Sequence, residues 1–480
     1  MSIDVAANRV GGTAMQAPES ARCCSGTPLA AASTMRFALP IALVACSTTA
    51  GRPNLPPTIT QRFSNDLDVL FVIDNSASTA DKQTVFAANF PRLVQALDAF
   101  PGGRPNLHVG VVDTTVDIGV QGMGPGCPSP DPNDNGLLQN TPRVTGCSGP
   151  TGRFLSDVAD ATGGRTTNYL GTLEAAFSCI AQVGASGCGY EAPLEAMKRA
   201  LDGSRPENAG FLRQDANLFV VILTDEDDCS VQDPSLFSLS NVGPGDFRCQ
   251  PLFAYDCDQP ISATDPGTYT GCKPALGSYL RDPKFYIDFL HSVVSEQRLS
   301  VAIIDGDAPL GADGLWTFST GAITTPFQQS LALEPSCMAT INGNPTIARP
   351  GIRLASFAEQ LGTKARQYSI CQPDYSGVLT DVGALMKQAM QPCIAGAVDA
   401  TDLDPANPGI QPNCSVTVAA AGNYELLPAC AMADDSTPAP GASGCVYFVA
   451  DPTCGTASNL AVHVLTTIPF GDTLTVSCNP

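Results

Sequence analysis

The run Asp68-Val69-Leu70-Phe71-Val72-Ile73-Asp74-Asn75-Ser76-Ala77-Ser78 leaves this chain few architectures. An apolar strand stops on Asp-x-Ser-x-Ser, and a helical pattern opens at Asp81 and continues to Ala99. Such a strand–turn–helix puts one carboxylate and two hydroxyls on a single turn at the carboxyl edge of a sheet. These are hard oxygen donors, of the kind that Mg2+, Mn2+ or Ca2+ prefers. The same residues also serve simpler ends. Ser78 lies three residues before Asp81 and can cap the helix, and Asp74 can make the hydrogen bonds of a strand-end turn.

Further apolar runs fall at 107 to 113, 218 to 225, 299 to 305 and 366 to 371. Helical patterns alternate with them at 81 to 99, 169 to 183, 192 to 202, 283 to 297, 353 to 362 and 376 to 391. This alternation predicts an α/β fold over 67 to 394: a doubly wound, mostly parallel sheet with helices on both faces, which binds ligands at the carboxyl ends of its strands. Long segments at 114 to 165, 228 to 276 and 306 to 350 interrupt the pattern. Each is rich in Gly, Pro and Asp and contains cysteine, and loops of that length need restraint or a function. From 395 to 480 short strand-like runs broken by Pro, Gly and Asp predict a small disulfide-bearing β domain.

With 46 acidic against 25 basic residues in 480, the net charge of -21 argues against nucleic acid and anionic lipid as charge-driven partners. The 19 cysteines include no Cys-x-x-Cys pair, and His108, His291 and His463 are scattered. A disulfide framework in an oxidising compartment accounts for them better than zinc or iron-sulfur ligation. Met35-Arg36, the apolar run 37 to 45 and then Cys46 read as an export signal. Leu43-Val44-Ala45-Cys46 resembles the bacterial lipobox, which implies lipidation of Cys46 and membrane attachment through that lipid alone. On this reading 1–34 is an upstream extension, 35–46 the signal and 47–66 a tether. Ser47, where aspartate would signal inner-membrane retention, points to the outer membrane or cell surface.

Removing Cys23, Cys24 and Cys46 leaves 16 cysteines, an even number that permits full pairing. Cys127 with Cys147, and pairs among Cys229, Cys249, Cys257 and Cys272, are candidate local bridges, with Cys179 and Cys188 as further candidates. Cys414, Cys430, Cys445, Cys454 and Cys478 are odd in number, so one of them, or Cys393, is expected to bridge to the larger domain.

A second strand, Leu218-Phe219-Val220-Val221-Ile222-Leu223-Thr224-Asp225, ends in a carboxylate followed by Glu226, Asp227 and Asp228. In a parallel sheet Asp74 and Asp225 emerge at the same edge, where they repel unless a cation lies between them. Asp-x-Ser-x-Ser after the first strand and Thr-Asp after a later one resemble the metal-ion-dependent adhesion site of von Willebrand factor A domains. The resemblance implies that Ser76 and Ser78 bind the cation directly and Asp74 and Asp225 bind it directly or through water. The cation would be Mg2+ first, with Mn2+ or Ca2+ as alternatives, and an open position on it would accept an acidic group of a protein or surface ligand.

The family adds a threonine before a middle helix. Here that loop is Gly187-Cys188-Gly189-Tyr190-Glu191, without threonine. Glu191 is the oxygen donor available, adding negative charge that favours the cation over an acidic ligand, and Thr166 or Thr167 is a second candidate. Glu191 also suits a helix first turn. Cys188 and Cys229, beside the two acidic loops, could staple them.

The function expected is therefore that of an exported, lipid-anchored surface protein that recognises its partner through a bound cation. A structural surface protein with a vestigial site is the alternative, and a metal-dependent hydrolase with Asp227 or Asp228 as general base is the third reading. No Ser-His-Asp order, Gly-x-Ser-x-Gly elbow or Walker loop occurs. Asp131-Pro132-Asn133-Asp134-Asn135-Gly136 begins like a calcium loop, but its twelfth position is Pro142, so it reads as a turn. Nothing in the sequence sets the oligomeric state.

Overall fold

The computed structural model describes residues 58–480 except 101–102, 118–133, 161, 239–247, 278, 325–328, 391, 400–405, 421–422, 455, 467, 469–471 and 480. The expected extension, signal and lipid cysteine Cys46, and the candidate bridge cysteine Cys127, lie outside the described residues.

Seven strands form the central sheet: β1 (Asp66–Ile73), β2 (Asn106–Asp113), β3 (Leu155–Ala159), β4 (Arg165–Thr167), β5 (Asn217–Leu223), β6 (Leu299–Asp305) and β7 (Ala365–Ser369). Their order is β7-β6-β5-β1-β2-β3-β4. The pairs from β7 through β2 are parallel, and β3 and β4 add on antiparallel at one edge. Apolar runs without polar alternation are what strands need when both faces of a sheet are covered. Every residue of β1, β2, β5 and β6 is buried.

The two-residue period of a strand divides β1 between two cores. Val69, Phe71 and Ile73 pack with helices α1 (Ala80–Asp98), α2 (Leu173–Ala181) and α6 (Ser376–Met390). Leu70 and Val72 pack with α3 (Pro193–Leu201), α4 (Pro283–Val293) and α5 (Ile352–Leu361). Phe71 is the centre of the first core, with the ring of Phe177 at 4.7 Å and those of Phe86 and Phe90 each at 5.9 Å. Helix α6 approaches α1 so closely that a Cβ on Gly383 would stand 2.4 Å from the Cβ of Ala96.

Register then aligns the strand ends. Ile73 is level with Asp113 on one side and Leu223 on the other, and Leu223 is level with Ile304. Asp74, Asp113, Asp225 and Asp305 therefore leave four adjacent strands at one edge.

Two of the long interruptions have structure of their own. Gly267–Pro274, Trp316–Thr324, Gln329–Leu333 and Tyr255–Asp256 form a four-stranded sheet, and Cys337–Ile341 with Asn344–Ala348 forms a hairpin. Another sheet joins Cys414–Ala420, Asn423–Leu426 and Thr473–Cys478 to Ile59–Ser64. That last strand corrects the expected tether: Ile59 lies opposite Cys478 and Ser64 opposite Thr473. Its partner is at the far end of the chain, so local composition gave no sign of it.

The disulfides bear out part of the expected pairing. Cys229–Cys249 and Cys257–Cys272 form locally. Cys147 pairs with Cys179 rather than Cys127, tying a loop to α2. Closure entropy grows only as the logarithm of loop length, so nearness in sequence is a poor guide to partner choice. Cys414–Cys478 and Cys430–Cys445 pair within 395 to 480, and the fifth cysteine there, Cys454, pairs with Cys393 just before that boundary. Cys188 is disulfide-bonded, but not to Cys229. Among the described residues no helix is long and apolar enough to cross a membrane.

The close crossing of α1 and α6 yields a stability prediction. Gly383→Val should destabilise the protein by about 1–3 kcal/mol, since the added methyls force the helices apart. Urea unfolding with the disulfides intact measures it, and an unchanged midpoint would mean the crossing is not close-packed.

Candidate metal centre

The turn after β1 is built around the Asp74 carboxylate, which is fully buried. Oδ1 accepts from the Ser76 amide at 2.7 Å and from Thr79 Oγ1 at 3.3 Å, and Oδ2 accepts from Thr224 Oγ1 at 2.8 Å. Asp74 thus makes the expected turn bonds. Ser78 does not make the expected cap. The helical turn Ala77–Thr79 and then α1 begin with no side-chain cap bond. The Ser76 and Ser78 hydroxyls instead lie 3.0 Å apart, and Ser78 Oγ donates to Asp225 Oδ1 at 3.0 Å. Four of the residues singled out from sequence, Asp74, Ser76, Ser78 and Asp225, are therefore brought together.

Asp225 has a second partner that the sequence did not announce. Lys82, on the first turn of α1 and fully buried, donates to Asp225 Oδ2 at 2.7 Å. It also donates to the carbonyls of Ser78 at 3.0 Å and Ile347 at 3.2 Å. Burial, with the Asp74 charge, pushes the Asp225 carboxyl up to about 6 against the opposing pull of Lys82.

Glu191 reaches the same edge from the loop before α3. The loop is pressed onto the Asp74 turn: Gly187 donates its amide to the Asn75 carbonyl at 2.8 Å, and a Cβ there would sit 2.1 Å from Asn75 Oδ1. Glu191 is fully buried, and its Oε2 accepts from Thr114 Oγ1 at 2.5 Å. Its Oε1 is buried with no hydrogen-bond partner. Burial, then the charges of Asp74 and Glu226, raise its pKa well above the carboxylate range. Glu191 precedes the helix and caps nothing, so its expected alternative as a first-turn glutamate falls to Glu195.

Thr167 is not part of this edge. It is exposed on β4, three strands from β1, and level with Asp157. The threonines that do reach the site follow β2. Thr114 binds Glu191, and Thr115 Oγ1 donates to Asn75 Oδ1 at 2.9 Å and accepts from the Cys188 amide at 3.0 Å. Their sequence signal was available: a threonine pair directly after a strand ending in Asp113.

The acidic run after β5 divides in two. Asp225 faces the site, with Glu226 close enough to raise Glu191. Asp227 and Asp228 serve helix termini instead. Asp227 accepts from the Arg353 and Leu354 amides at 2.8 and 3.1 Å and from Tyr255 at 2.7 Å. Asp228 accepts from the Leu194 amide at 3.1 Å, from Ser230 Oγ at 2.6 Å and from the Arg353 guanidinium at 3.1 Å. Both are fully buried, so the expected general base is unavailable in either position.

The other strand-end carboxylates are also engaged. Asp305 holds the Gln367 amide at 2.8 Å, and Asp113 holds that of Gln139 at 2.9 Å. The described part of the calcium-loop-like segment is a turn, with Asn135 in the left-handed region and its Oδ1 accepting from the Asp117 amide and Arg199. Among the described residues no three His, Cys, Asp or Glu side chains are grouped to hold a metal. The oxygen set at this edge mixes hydroxyls with carboxylates.

No family model matches the chain, and no curated protein matches it. Among solved structures, a von Willebrand factor type A protein from Catenulispora acidiphila is similar at 12% identity and a TM-score of 0.26. The match covers 89% of this chain and 66% of that one, just under two thirds of its length.

The capping role of Asp227 is directly testable. Asp227→Ala strips two amides of α5 and the Tyr255 hydroxyl of their acceptor and should cost about 3 kcal/mol or more. Thermal unfolding reads this out, and a loss under 1 kcal/mol would show that the α5 terminus finds another partner.

Proposed function

We propose that this edge binds a divalent cation, with Mg2+ preferred and Mn2+ or Ca2+ as alternatives, and that the protein uses it to recognise a partner bearing an acidic group. One observation carries the reading: Ser76 Oγ, Ser78 Oγ and Asp225 Oδ1 form a chain of hard oxygens at 3.0 Å steps, beside the partnerless Oε1 of Glu191. Ser76, Ser78 and Asp225 would hold the cation directly. Asp74, whose oxygens already accept from the protein, would act through water, and Glu191 would stand where a von Willebrand A-like site carries threonine. The parallel strand order and the helices on both faces support a doubly wound, von Willebrand A-like sheet, followed by a C-terminal disulfide-bearing β domain. A cation supplies such a site with an open coordination position for a ligand oxygen.

The setting we infer is the outer membrane or cell surface, reached by export and held through lipid on Cys46. The dense disulfide framework supports an oxidising compartment. A second reading has its own observation. Lys82 already neutralises Asp225, as a vestigial site in a structural surface protein would require.

Calorimetric titration of the full chain with Mg2+, Mn2+ and Ca2+ separates the two. The parent should give a saturable heat that the Asp74→Ala, Ser76→Ala double variant loses. Identical traces from both proteins would favour the structural reading. For the anchor, Cys46→Ala should move the protein from the membrane to the soluble fraction, and retention in the membrane would rule out lipid at that residue.

A further inference from the structure

At the amino ends of the parallel strands, away from the aspartate edge, a crevice of about 390 Å³ opens between the central sheet, helix α6 and the C-terminal segment. Asn217 at the start of β5, Ser300 near the start of β6 and Lys364 just before β7 line it from the sheet. The strand Ile59–Ser64 and the Cys393–Cys454 disulfide contribute another wall. Gln61 ties these two together: its Nε2 donates to the Cys393 carbonyl at 3.3 Å and its Oε1 accepts from the Ala395 amide at 2.8 Å. The volume is that of a small-molecule site.

The charge of the crevice is opposite to that of the chain. Arg62, Arg298 and Lys364 line it, and among the described residues no Asp or Glu does, although the sequence holds 46 acidic against 25 basic residues. Each cation has donors to spare. Arg62 is exposed and makes no hydrogen bond or ion pair among the described residues. The partly buried Lys364 ammonium donates to the Gln297 carbonyl at 3.3 Å, its one hydrogen bond among the described residues. That carbonyl belongs to the residue before Arg298, so the two cations arise side by side. Arg298 uses Nε on Ser295 Oγ at 3.2 Å and Nη1 on the Gln214 carbonyl at 3.0 Å, which leaves Nη2.

Two carboxylates stand nearby without lining the crevice. Asp215 lies 3.8 Å from Arg298 Nη1, and the charge of Glu296 acts on Lys364. Both are exposed, so water screens them. Burial holds the Lys364 ammonium below its ordinary value, a cost that a bound anion would recover. Thr456, on the wall with Cys454, keeps its Oγ1 buried and without a hydrogen-bond partner.

We propose that this crevice binds a small phosphorylated molecule. A phosphate monoester carries nearly two negative charges at neutral pH and three strong acceptor oxygens. Guanidinium forks match that geometry, and an ammonium beside them adds a point charge. The rest of the crevice, lined by hydroxyls and amides such as those of Thr456 and Gln388, is room for a polar body attached to the phosphoryl group. The site does not depend on the cation proposed above.

The test is calorimetric titration of the full chain in metal-free buffer with glycerol 3-phosphate, inorganic phosphate and succinate. Absence of metal keeps the probes from binding through a cation at the aspartate edge. Glycerol 3-phosphate should saturate and bind more tightly than inorganic phosphate, with succinate, a dicarboxylate, weaker than both. Lys364→Gln keeps a donor for the Gln297 carbonyl, and Arg298→Lys keeps the charge but loses the fork. Each should weaken glycerol 3-phosphate binding roughly 10–100-fold. Arg62→Gln, at an exposed position, should weaken it by a smaller factor and keeps the test valid should an inner variant fold poorly. Saturation unchanged in the folded variants overturns the crevice as the site. Succinate binding as tightly as glycerol 3-phosphate overturns the phosphoryl assignment, and inorganic phosphate doing so overturns the polar body. No saturation by any of the three overturns the proposal outright.

Discussion

Four neighbouring strands each deliver an aspartate to one buried edge, and disposing of that charge organises the surrounding structure. Each carboxylate has its own solution. Asp74 is held by a backbone amide and two threonine hydroxyls. Asp113 and Asp305 are held by glutamine amides. Asp225 takes a serine and a buried lysine. Removal from water is costly for an ion without compensation, and each of these contacts recovers part of that cost. The elements that carry the partners thereby meet at the sheet edge: the turn before α1 and its first turn, Thr224 after β5, the segment at Gln139 and strand β7 with Gln367.

The insertions follow from the same demand. The run after β5 uses Asp227 and Asp228 to terminate α5 and α3, so one short loop locks two helices of the same face to the strand that precedes it. Cys229 follows immediately and pairs with Cys249, fixing the exit of the loop. On the opposite side, the Cys337–Cys371 bridge holds the hairpin whose Ile347 carbonyl orients Lys82. Chain that looks like an interruption in one dimension is the frame of the site in three.

This geometry also explains what could be read from sequence. The strands β1, β2, β5 and β6 were legible because burial on both faces demands continuous apolar runs, and Asp74, Ser76, Ser78 and Asp225 followed from the strand ends. Glu191 was legible through its place before α3. Lys82 was not: a lysine one residue past Asp81 on an amphipathic helix looks like surface, and its burial depends on a carbonyl from residue 347. Thr114 and Thr115 were passed over for Thr167, which register places at the opposite end of the sheet: it is level with Asp157, Asp157 with Leu107 and Leu107 with Leu67, and local sequence does not announce that pairing. The strand Ile59–Ser64 and the Cys147–Cys179 bridge share that cause, each depending on a distant partner.

The edge is finally not uniform. Asp227 and Asp228 sit in networks of amides, hydroxyls and a guanidinium, which is what a structural role requires. A few residues away α1 begins without a side-chain cap although Ser76 and Ser78 stand at its start, a choice that forgoes about 1 kcal/mol. There too Glu191 keeps one buried oxygen without a partner, as Asp113 does on the neighbouring strand, and the charges of Asp74 and Glu226 act on it. The contrast therefore separates the two halves of one acidic edge. The half at Asp227 and Asp228 fastens helices, and the half at Asp74, Ser78 and Asp225 is where we propose that a cation binds.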